Sequence, residues 1–356
     1  MKKLNLAIIG QGRSGRNIHG AFLKKEENIW YNVVAVAELD PERRERAEAE
    51  YPGCKAYEDF HDLIARDDID LIVNASYSEM HYSITKECLL GGKNVLVEKP
   101  FGRNYYECCD LMNTAKEMGV TLAVFQQSLY APYYAEVKKI IDSGILGDIV
   151  QINLRNNGFA RRWDWQTTQK KMGGSVYNTG PHPIGAALNF LGWDENFRVE
   201  YAKIGKALTS GDAEDTAKII LCAPGKPVVD LEINSNDAFC DYTVKVMGTK
   251  GTLKGTNKGC KMKYIVDGEN EPRPLIIESL KNEEGMPIYC SEKLITHDEE
   301  MAYTGGAFDS AVCLFYKMLY NTLTTGAELE IKPEWIAQVV RVIETVHAVN
   351  PMPKLF

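Results

Sequence analysis

The chain has 356 residues, of which 45% are hydrophobic and 25% charged, an ordinary globular composition that excludes wholesale disorder. At ~100–200 residues per domain this length predicts about two domains. Lysine and arginine number 41 against 49 acidic residues, and the net charge of −8 offers no basic face for nucleic acid. A mean hydropathy of −0.27 and the lack of a long uncharged apolar run argue against a membrane span.

The cysteines and the first apolar stretch bear on the cellular compartment. Nine cysteines are scattered along the chain without a C-x-x-C pair, so neither a disulfide framework nor a zinc site is predicted, and no metal is expected. The stretch Leu4–Ile9 contains Asn5 and runs into glycines without a cleavage site, which favours a buried strand over a signal peptide. We therefore expect a soluble cytoplasmic protein.

The first 125 residues alternate apolar, β-branched runs with stretches of helical spacing. Strands are predicted at Leu4–Ile9, Val33–Ala37, Leu71–Ala75, Asn94–Val97 and Thr121–Phe125. Helices are predicted at Ser14–Lys25, Pro41–Glu50, Met80–Leu90 and Tyr105–Met118. This alternation predicts a doubly wound α/β domain over residues 1–125, with a parallel sheet covered on both faces.

The pattern changes after Pro132, and residues 126–356 are predicted to form a second domain. A helix at Pro132–Ser143 precedes short strand-like runs separated by turn signals, which predict a largely antiparallel sheet. The predicted strands are Ile149–Asn153, Arg198–Ile204, Ala217–Leu221, Val228–Ile233 and Thr243–Met247. An unpatterned excursion, Asp267–Asp298, precedes two closing helices in a position to pack back on the first domain. These helices are predicted at Glu299–Thr322 and Pro333–Val349.

A glycine-rich loop, GQGRSG, follows the first strand and opens a helix. Gly10, Gly12 and Gly15 stand where a dinucleotide-binding turn needs a tight bend, close approach to a pyrophosphate and close helix–sheet packing. Arg13 and Ser14 lie in the same loop and are candidate cofactor contacts. The alternative is an ordinary strand-to-helix turn.

Glu38 ends the second strand about 20 residues after the glycines, where an acidic residue binds the adenosine ribose. Its carboxylate would repel a 2′-phosphate, so NAD is favoured over NADP. Arg43 and Arg44 either reach such a phosphate, which keeps NADP as the weaker alternative, or lie on the solvated face of the next helix.

Two further segments carry possible chemistry. The run VLVEKP places Glu98 and Lys99 at the carboxyl end of a buried strand, where open α/β sheets bind ligands. The run GGSVYNTGPH leads into an apolar helix, and its spacing would place Asn178 and His182 on one helix face. Taken alone, Lys99 could be a solvated lysine just past a strand, and His182 could be a structural histidine. His19 and His347 are expected to be ordinary packing or surface residues.

Together these motifs resemble the glucose–fructose oxidoreductase / inositol dehydrogenase / rhizopine-catabolism family of sugar-type dehydrogenases. The resemblance covers nearly the whole chain and rests on Gly10–Gly15, Asp70–Lys99 with its E-K-P ending, Gly144–Asp148, Gly173–Gly192 and Gly248–Thr252. It implies an N-terminal Rossmann domain and a C-terminal α/β domain built on an open antiparallel sheet. A homodimer or homotetramer formed through that sheet is also implied.

The resemblance also implies roles for individual residues. His182 would be the general acid/base, Lys99 would stabilise the alkoxide, and Asn178 would orient the substrate. A cis Lys99–Pro100 bond is implied as well. Further cofactor contacts implied are Ser76, His81, Glu98 and Lys99, and implied binders of substrate hydroxyls are Arg155 and Asn157.

The sequence departs from the family pattern on the substrate side. Asn178 stands where many members have Asp, and an amide cannot accept a proton. Gly185 replaces an acidic residue, and Ser76-Tyr77 replaces a threonine–proline pair. The family stays the best interpretation, while the identity of the substrate stays open.

Trp163, Trp165 and Tyr177 offer aromatic faces for stacking on a sugar ring, with core packing as the alternative. The leading hypothesis is an NAD-dependent oxidoreductase acting on a ring secondary alcohol of a neutral sugar, glycoside or cyclitol. One alternative is a redox glycosidase or lyase that works through a transient 3-keto glycoside. The other is a non-catalytic, dinucleotide-binding sensor.

Overall fold

The computed structural model describes residues 2–305 and 308–355, which form two sheets with helices packed against them. The first sheet has six parallel strands in the order β3-β2-β1-β4-β5-β6. These strands are β1 Leu4–Ile9, β2 Tyr31–Ala37, β3 Lys55–Tyr57, β4 Leu71–Asn74, β5 Val95–Val97 and β6 Leu122–Val124. The strand order reverses between β1 and β4, so a crevice opens at their carboxyl ends.

The helices of this half are α1 Gly20–Leu23, α2 Pro41–Glu50, α3 His61–Ile64, α4 His81–Leu90 and α5 Tyr105–Met118. Local chemistry fixes the start of α2, because the Asp40 side chain accepts hydrogen bonds from the first-turn amides and Pro41 occupies the first turn. The helix predicted at Ser14–Lys25 is instead a π-helical turn, Gly15–His19, followed by α1.

The second half contains the remaining helices and a mixed eight-stranded sheet. The helices are α6 Pro132–Asp142, α7 Ser175–Asn178, α8 Pro181–Phe190, α9 Asp309–Thr325 and α10 Pro333–Ala348. The strands are β7 Ile149–Arg155, β8 Arg198–Gly205, β9 Thr216–Cys222, β10 Val228–Asn234, β11 Val244–Gly248, β12 Gly251–Gly255, β13 Gly259–Tyr264 and β14 His297–Ala302. Their order is β14-β13-β12-β11-β7-β10-β9-β8, and only the β7–β10 pair is parallel. The predicted α/β architecture with two sheets is confirmed.

The strands of the second sheet alternate between an apolar and a charged face. Leu154, Ile219 and Leu231 are fully buried in one core with residues of α8, while Arg155 and Lys218 lie on the opposite face. Successive side chains of a strand point to opposite faces, so this alternation fixes which residues can approach α8.

The prediction of a helix at Glu299–Thr322 is wrong at its start. Residues from Glu299 to Ala302 lie in β14, an exposed edge strand that pairs with β13, and α9 begins only at Asp309. The acidic run has a helix-like composition, but pairing with the open edge of the sheet decides its conformation. Part of the predicted span, residues 306 and 307, lies outside the described residues.

Between them, the two C-terminal helices pack against the cores of both sheets. Phe315 and Leu319 of α9 join the core of the first sheet, while Val342 and Ile343 of α10 join the core of the second. Division of the chain at residues 125/126 stays a prediction. Within the described ranges, no helix has the length and apolar character needed to cross a membrane.

Candidate active site

The loop after β1 contains three glycines. At two of them a side chain would collide with the protein, and at the third it would meet open space. Gly10 has φ +89°, and a Cβ there would lie 2.6 Å from the Ala75 carbonyl oxygen. A Cβ on Gly15 would lie 1.9 Å from the Gly10 carbonyl oxygen. A Cβ on Gly12 would meet nothing within 4 Å. Packing therefore explains two glycines, whereas the bare backbone at Gly12 fits a pyrophosphate that approaches closely.

Glu38 at the end of β2 is fixed beside this loop. Its Oε2 accepts the Gln11 amide at 2.7 Å and its Oε1 accepts the Asp40 amide at 3.1 Å. The Arg43 guanidinium lies 3.6 Å from the same carboxylate. Arg44 donates to the Glu38 and Leu39 carbonyls, so it braces the loop rather than standing on the solvated face of α2. The carboxylate is thus held where a ribose would be recognised.

His81 connects two segments at the carboxyl edge of the first sheet. Its Nδ1 lies 2.8 Å from the Pro100 carbonyl oxygen and its Nε2 lies 3.1 Å from the Ser76 carbonyl oxygen. Burial lowers the pKa of His81, and a neutral imidazole can donate to only one of these carbonyls at a time. The Lys99–Pro100 peptide bond is cis. His81 therefore braces the segment that carries Lys99, while Ser76 donates its hydroxyl to Asn74.

Glu98 is enclosed by protein, so the structure does not support a contact between its side chain and the cofactor. The residue is 5% exposed; its Oε1 lies 3.2 Å from His19 Nε2, and its Oε2 accepts the Lys99 amide at 3.2 Å. Burial raises the pKa of Glu98, but the contact with His19 and the charges of Lys99 and His81 outweigh it and lower the pKa to about 2. The carboxylate is ionised, and its partner His19 is more than the ordinary packing residue expected.

Lys99 and His182 meet between the two halves of the chain. The Lys99 ammonium donates to the Asn178 carbonyl oxygen at 2.6 Å, on the turn that leads into His182. Burial and the positive charge of Lys99 lower the pKa of His182 to about 3, so its imidazole is neutral near pH 7. Burial lowers the pKa of Lys99, the charge of Glu98 opposes this shift, and Arg13 and Arg162 add to it.

Two residues in this group, Ser128 and Gln126, were not predicted. The Ser128 hydroxyl lies 2.9 Å from His182 Nδ1, and Gln126 donates to the Pro181 carbonyl at 2.6 Å. The Gln126 amide also lies 3.0 Å from where a Cβ of Gly185 would stand, so it fills the space beside that glycine. The polar run Gln126–Ser128 begins two residues after the end of buried strand β6, and this position at the carboxyl edge could have identified it.

A small polar cavity lies behind Asn178. Its walls include Arg162, Gln166 and Ser235 together with the carboxyl groups of Glu214 and Asp215. The wall is polar and carries charged groups of both signs, so it offers hydrogen bonds rather than apolar contact.

The three predicted aromatic residues, Trp163, Trp165 and Tyr177, lie in different surroundings, and Trp165 contacts the loop after β4. Its ring packs edge-on against Tyr77, which follows β4, with 5.2 Å between the ring centroids. Trp163 is 79% exposed. Tyr177 stacks on His347 and donates its hydroxyl to the Arg103 carbonyl, so both ends of its ring are engaged by the protein.

Arg155 and Asn157 are not brought to the group around Lys99. Arg155 forms ion pairs with Asp230 at 3.1 Å and Glu232 at 3.0 Å, and Asn157 donates to Asp237 at 2.9 Å. Since the preceding residue Leu154 is buried toward α8, strand alternation turns Arg155 to the opposite face of the sheet. Their expected contact with substrate hydroxyls is therefore not supported by the structure.

Both halves of the chain match models of the same protein family. The NAD-binding Rossmann-fold model of the GFO/IDH/MocA oxidoreductase family matches residues 4–126, and the model of the family's C-terminal domain matches residues 134–254.

Individual relatives are similar at low identity. The NADP(+) scyllo-inositol 2-dehydrogenase of Bacillus subtilis is 25% identical over 96% of this chain and 92% of its own. The 2,7-anhydro-N-acetylneuraminate hydratase of Mediterraneibacter gnavus is 26% identical over 76% of this chain and 72% of its own. The crystal structure of GenD2 from gentamicin A biosynthesis, in complex with NAD, shares the fold with a TM-score of 0.77 at 18% identity, covering 100% of this chain and 97% of that one.

Proposed function

Because the chain belongs to the GFO/IDH/MocA family of NAD-binding oxidoreductases, we propose that it moves a hydride between NAD and a ring secondary alcohol. The substrate would be a sugar, glycoside or cyclitol. The observation that carries this proposal is the convergence of Lys99 and His182 from the two halves of the chain, joined by the 2.6 Å hydrogen bond from Lys99 to the Asn178 carbonyl.

NAD, when bound, takes up the hydride at its nicotinamide ring. The residues that would hold it are the open backbone at Gly12 and the carboxylate of Glu38. A carboxylate fixed by two backbone amides suits ribose hydroxyls and repels a 2′-phosphate, so NAD is preferred to NADP. The nearby Arg43 guanidinium reduces that repulsion, so NADP should still bind, but more weakly than NAD.

His182 supplies the base in this proposal. When His182 carries its proton on Nδ1 and donates it in a hydrogen bond to the Ser128 hydroxyl, the lone pair of Nε2 is free to take the alcohol proton. Nε2 has no hydrogen-bond partner within the described part of the chain. The low pKa of His182 keeps this lone pair unprotonated at physiological pH, but it also makes the imidazole a weak base, so the hydride must leave the carbon as the alcohol proton is taken.

Lys99 supplies the positive charge in this proposal. An ammonium has three donors, and the Asn178 carbonyl takes one, which leaves two for the alcohol oxygen as it becomes an alkoxide. Asn178 orients the hydroxyl, since its amide cannot carry the proton. The small polar cavity behind Asn178 offers hydrogen-bonding groups, among them the carboxyl groups of Glu214 and Asp215, to hydroxyls of a substrate.

A second candidate keeps the redox step internal. The relative from Mediterraneibacter gnavus is named a hydratase, and hydration involves no net oxidation. The same residues would oxidise a glycoside to a transient keto form, allow elimination, and return the hydride. Turnover would then leave no free NADH.

Two further features stay proposals. A homodimer or homotetramer would form through the charged outer face of the eight-stranded sheet. The chain would work in the cytoplasm on small molecules.

The test is a panel of sugars, glycosides and inositols incubated with NAD or NADP, with NADH absorbance and product analysis read in parallel. NADH formation with a polyol supports the dehydrogenase, whereas cleavage or hydration without NADH supports the internal redox cycle. Tight NAD binding without any turnover across the panel contradicts both and favours a sensor.

A further inference from the structure

The chain leaves the second sheet after β13 and returns to it at β14, and residues 267–296 between these strands form an arm that doubles back on itself. Arg273 of one leg pairs with Glu292 of the other at 2.5 Å. The Ile288 amide donates to the Leu280 carbonyl at 3.0 Å. Within the described ranges of the chain, the hydrogen bonds and ion pairs of the arm beyond its first three residues all stay inside it. The arm is therefore held together by its own contacts and not by the body of the chain.

The arm exposes much apolar surface to solvent. Every residue from 271 to 296 except Leu280 is exposed, and eight of them have large apolar side chains. Leu275, Ile277 and Tyr289 are 84–96% exposed. Single apolar side chains on a surface are ordinary, but monomeric proteins rarely leave extended apolar patches in water. This exposure indicates that another molecule covers the arm.

The arm has the size of a stable protein interface. Residues 271–296 number 26, and specific interfaces use ~20–30 residues on each side. A leg of about 15 residues spans at most ~50 Å. A chain of 356 residues has a radius of gyration of about 20 Å, so the arm can lie across the face of a neighbouring chain of the same size.

The outer face of the second sheet carries a row of three lysines. Register places Lys245, Lys254 and Lys261 directly opposite one another on β11, β12 and β13. The adjacent residues Val246 and Leu253 are buried, so strand alternation turns the lysines to the outer face. Like charges opposite one another are unfavourable, and the arm carries seven acidic residues against three basic ones. An arm laid across this lysine row would therefore help to neutralise it.

Other residues of the same chain neutralise the lysine row only in part. Lys254 pairs with Asp241, and Glu300 of β14 lies opposite Lys261. Lys245 has no ion pair within the part of the chain that the structure describes. Further charges of this face already have partners, among them Lys263 with Asp298, Lys218 with Asp230 and Arg155 with Glu232.

The second sheet also offers apolar surface. Phe159 and Phe239 are 67% and 92% exposed, in the segments that follow the parallel strands β7 and β10. A bridge between Phe159 and Asn236 holds these two segments together. The sheet therefore has apolar side chains as well as lysines with which an arm can make contact.

We propose that two copies of this chain exchange arms, with residues 267–296 of each packed on the outer face of the eight-stranded sheet of the other. The arm starts at the open edge of that sheet, and its acidic and apolar side chains match the lysine row and the exposed phenylalanines. In a two-fold arrangement, one such contact and its symmetry mate cover both arms. The homo-oligomer proposed above requires only that the sheets meet. The exchange of arms goes beyond it and does not depend on the redox reaction.

Two complementary variants test which chain receives the arm. One variant loses its arm lysines by Lys281→Arg and Lys293→Arg, and the other loses the lysine row by Lys245→Arg, Lys254→Arg and Lys261→Arg. These changes keep every charge. The two variants are co-expressed with different affinity tags, purified on both tags in turn and treated with an amine-reactive cross-linker. A link between an arm lysine and a lysine of the row can then form only between copies, because neither variant keeps both sets.

We expect this link in the mixed assembly. A link that forms in the unaltered chain but not in the mixed assembly would show that the arm folds on its own sheet, which would overturn the proposal. Failure to recover a mixed assembly, or the absence of any link between arm and lysine row, would overturn it as well.

Sedimentation equilibrium tests the apolar contacts of the arm. The double substitution Leu275→Asp and Ile277→Asp should raise the dissociation constant of self-association at least about tenfold, because the exchange buries both side chains. Leu90→Asp changes an exposed leucine outside the arm and should leave this constant unaltered. Circular dichroism checks that both variants are folded. Equal dissociation constants in the arm variant and the unaltered chain would refute the exchange, and NAD-dependent turnover by such a chain would leave the proposed function standing.

Discussion

The low pKa of His182 makes the stability of the protein depend on pH in a way that one substitution can isolate. An unfolded chain titrates this histidine near 6.5, whereas the folded chain holds its pKa at about 3, because burial and the charge of Lys99 disfavour the imidazolium. The folded pKa lies below the unfolded one. The contribution of neutral His182 to the free energy of unfolding is therefore complete above about pH 6.5, and it is lost as the pH falls toward 3.

The magnitude follows from the two pKa values. On going from about pH 7.5 to about pH 5, protonation of His182 in the unfolded chain alone costs about 2 kcal/mol of folding free energy. His182→Gln lacks this group, and every other titratable residue is common to both proteins. The free energy of unfolding of the unaltered chain should therefore fall by about 2 kcal/mol more than that of His182→Gln over this pH interval.

Urea unfolding of both proteins at the two pH values, followed by fluorescence and circular dichroism, makes the comparison. If the two probes give separate transitions, each domain is fitted by itself. Equal pH dependence in the two proteins would refute the inference that His182 is held neutral by its surroundings.

Two further predictions concern the nucleotide. Gly12→Ala should change the free energy of unfolding by no more than ~0.5 kcal/mol but weaken NAD binding about tenfold. Gly15→Ala should lower the free energy of unfolding by about 1–3 kcal/mol, since its Cβ would lie 1.9 Å from the Gly10 carbonyl oxygen. Thermal unfolding and NAD fluorescence titration of the pair check this, and equal loss of stability in both variants would contradict it. Glu38→Gln should reduce the preference for NAD over NADP about tenfold, because Arg43 then faces a 2′-phosphate without the opposing carboxylate. The ratio of the two dissociation constants measures this change, and an unaltered ratio would show that Glu38 does not discriminate.

Helices and strands whose ends are specified by neighbouring residues in the sequence could be predicted. Helix α2 could be placed at Pro41–Glu50 because Pro41 is typical of a first helical turn, and the structure adds the Asp40 cap at the same end. The acidic start of the helix predicted at Glu299 failed because its conformation depends on a strand, β13, some 35 residues earlier. Strand β3 and helix α3 were missed because three or four residues carry too little periodicity to recognise.

The same distinction holds at the candidate site. Gly12, Lys99 and His182 could be predicted as site residues because each belongs to a contiguous motif. The environment of Glu98 was not found, since His19 and Tyr316 approach it from distant segments. The ion pair of Arg155 with Asp230 on the outer face of the second sheet could not be predicted, because a motif gives a position along a strand but not the face toward which its side chain points.

In the proposed function, Lys99 and His182 perform alcohol oxidation while a hydride passes to NAD. The most direct measurement uses a polyol substrate from the panel deuterated at the oxidised carbon, with NMR detection of deuterium on the nicotinamide ring, in the unaltered chain and in Lys99→Ala and His182→Ala. We expect deuterium in the nicotinamide with the unaltered chain, about 10²–10⁴-fold slower transfer in either variant, and NAD affinity changed by less than about threefold. Transfer at an undiminished rate in both variants would contradict the claim.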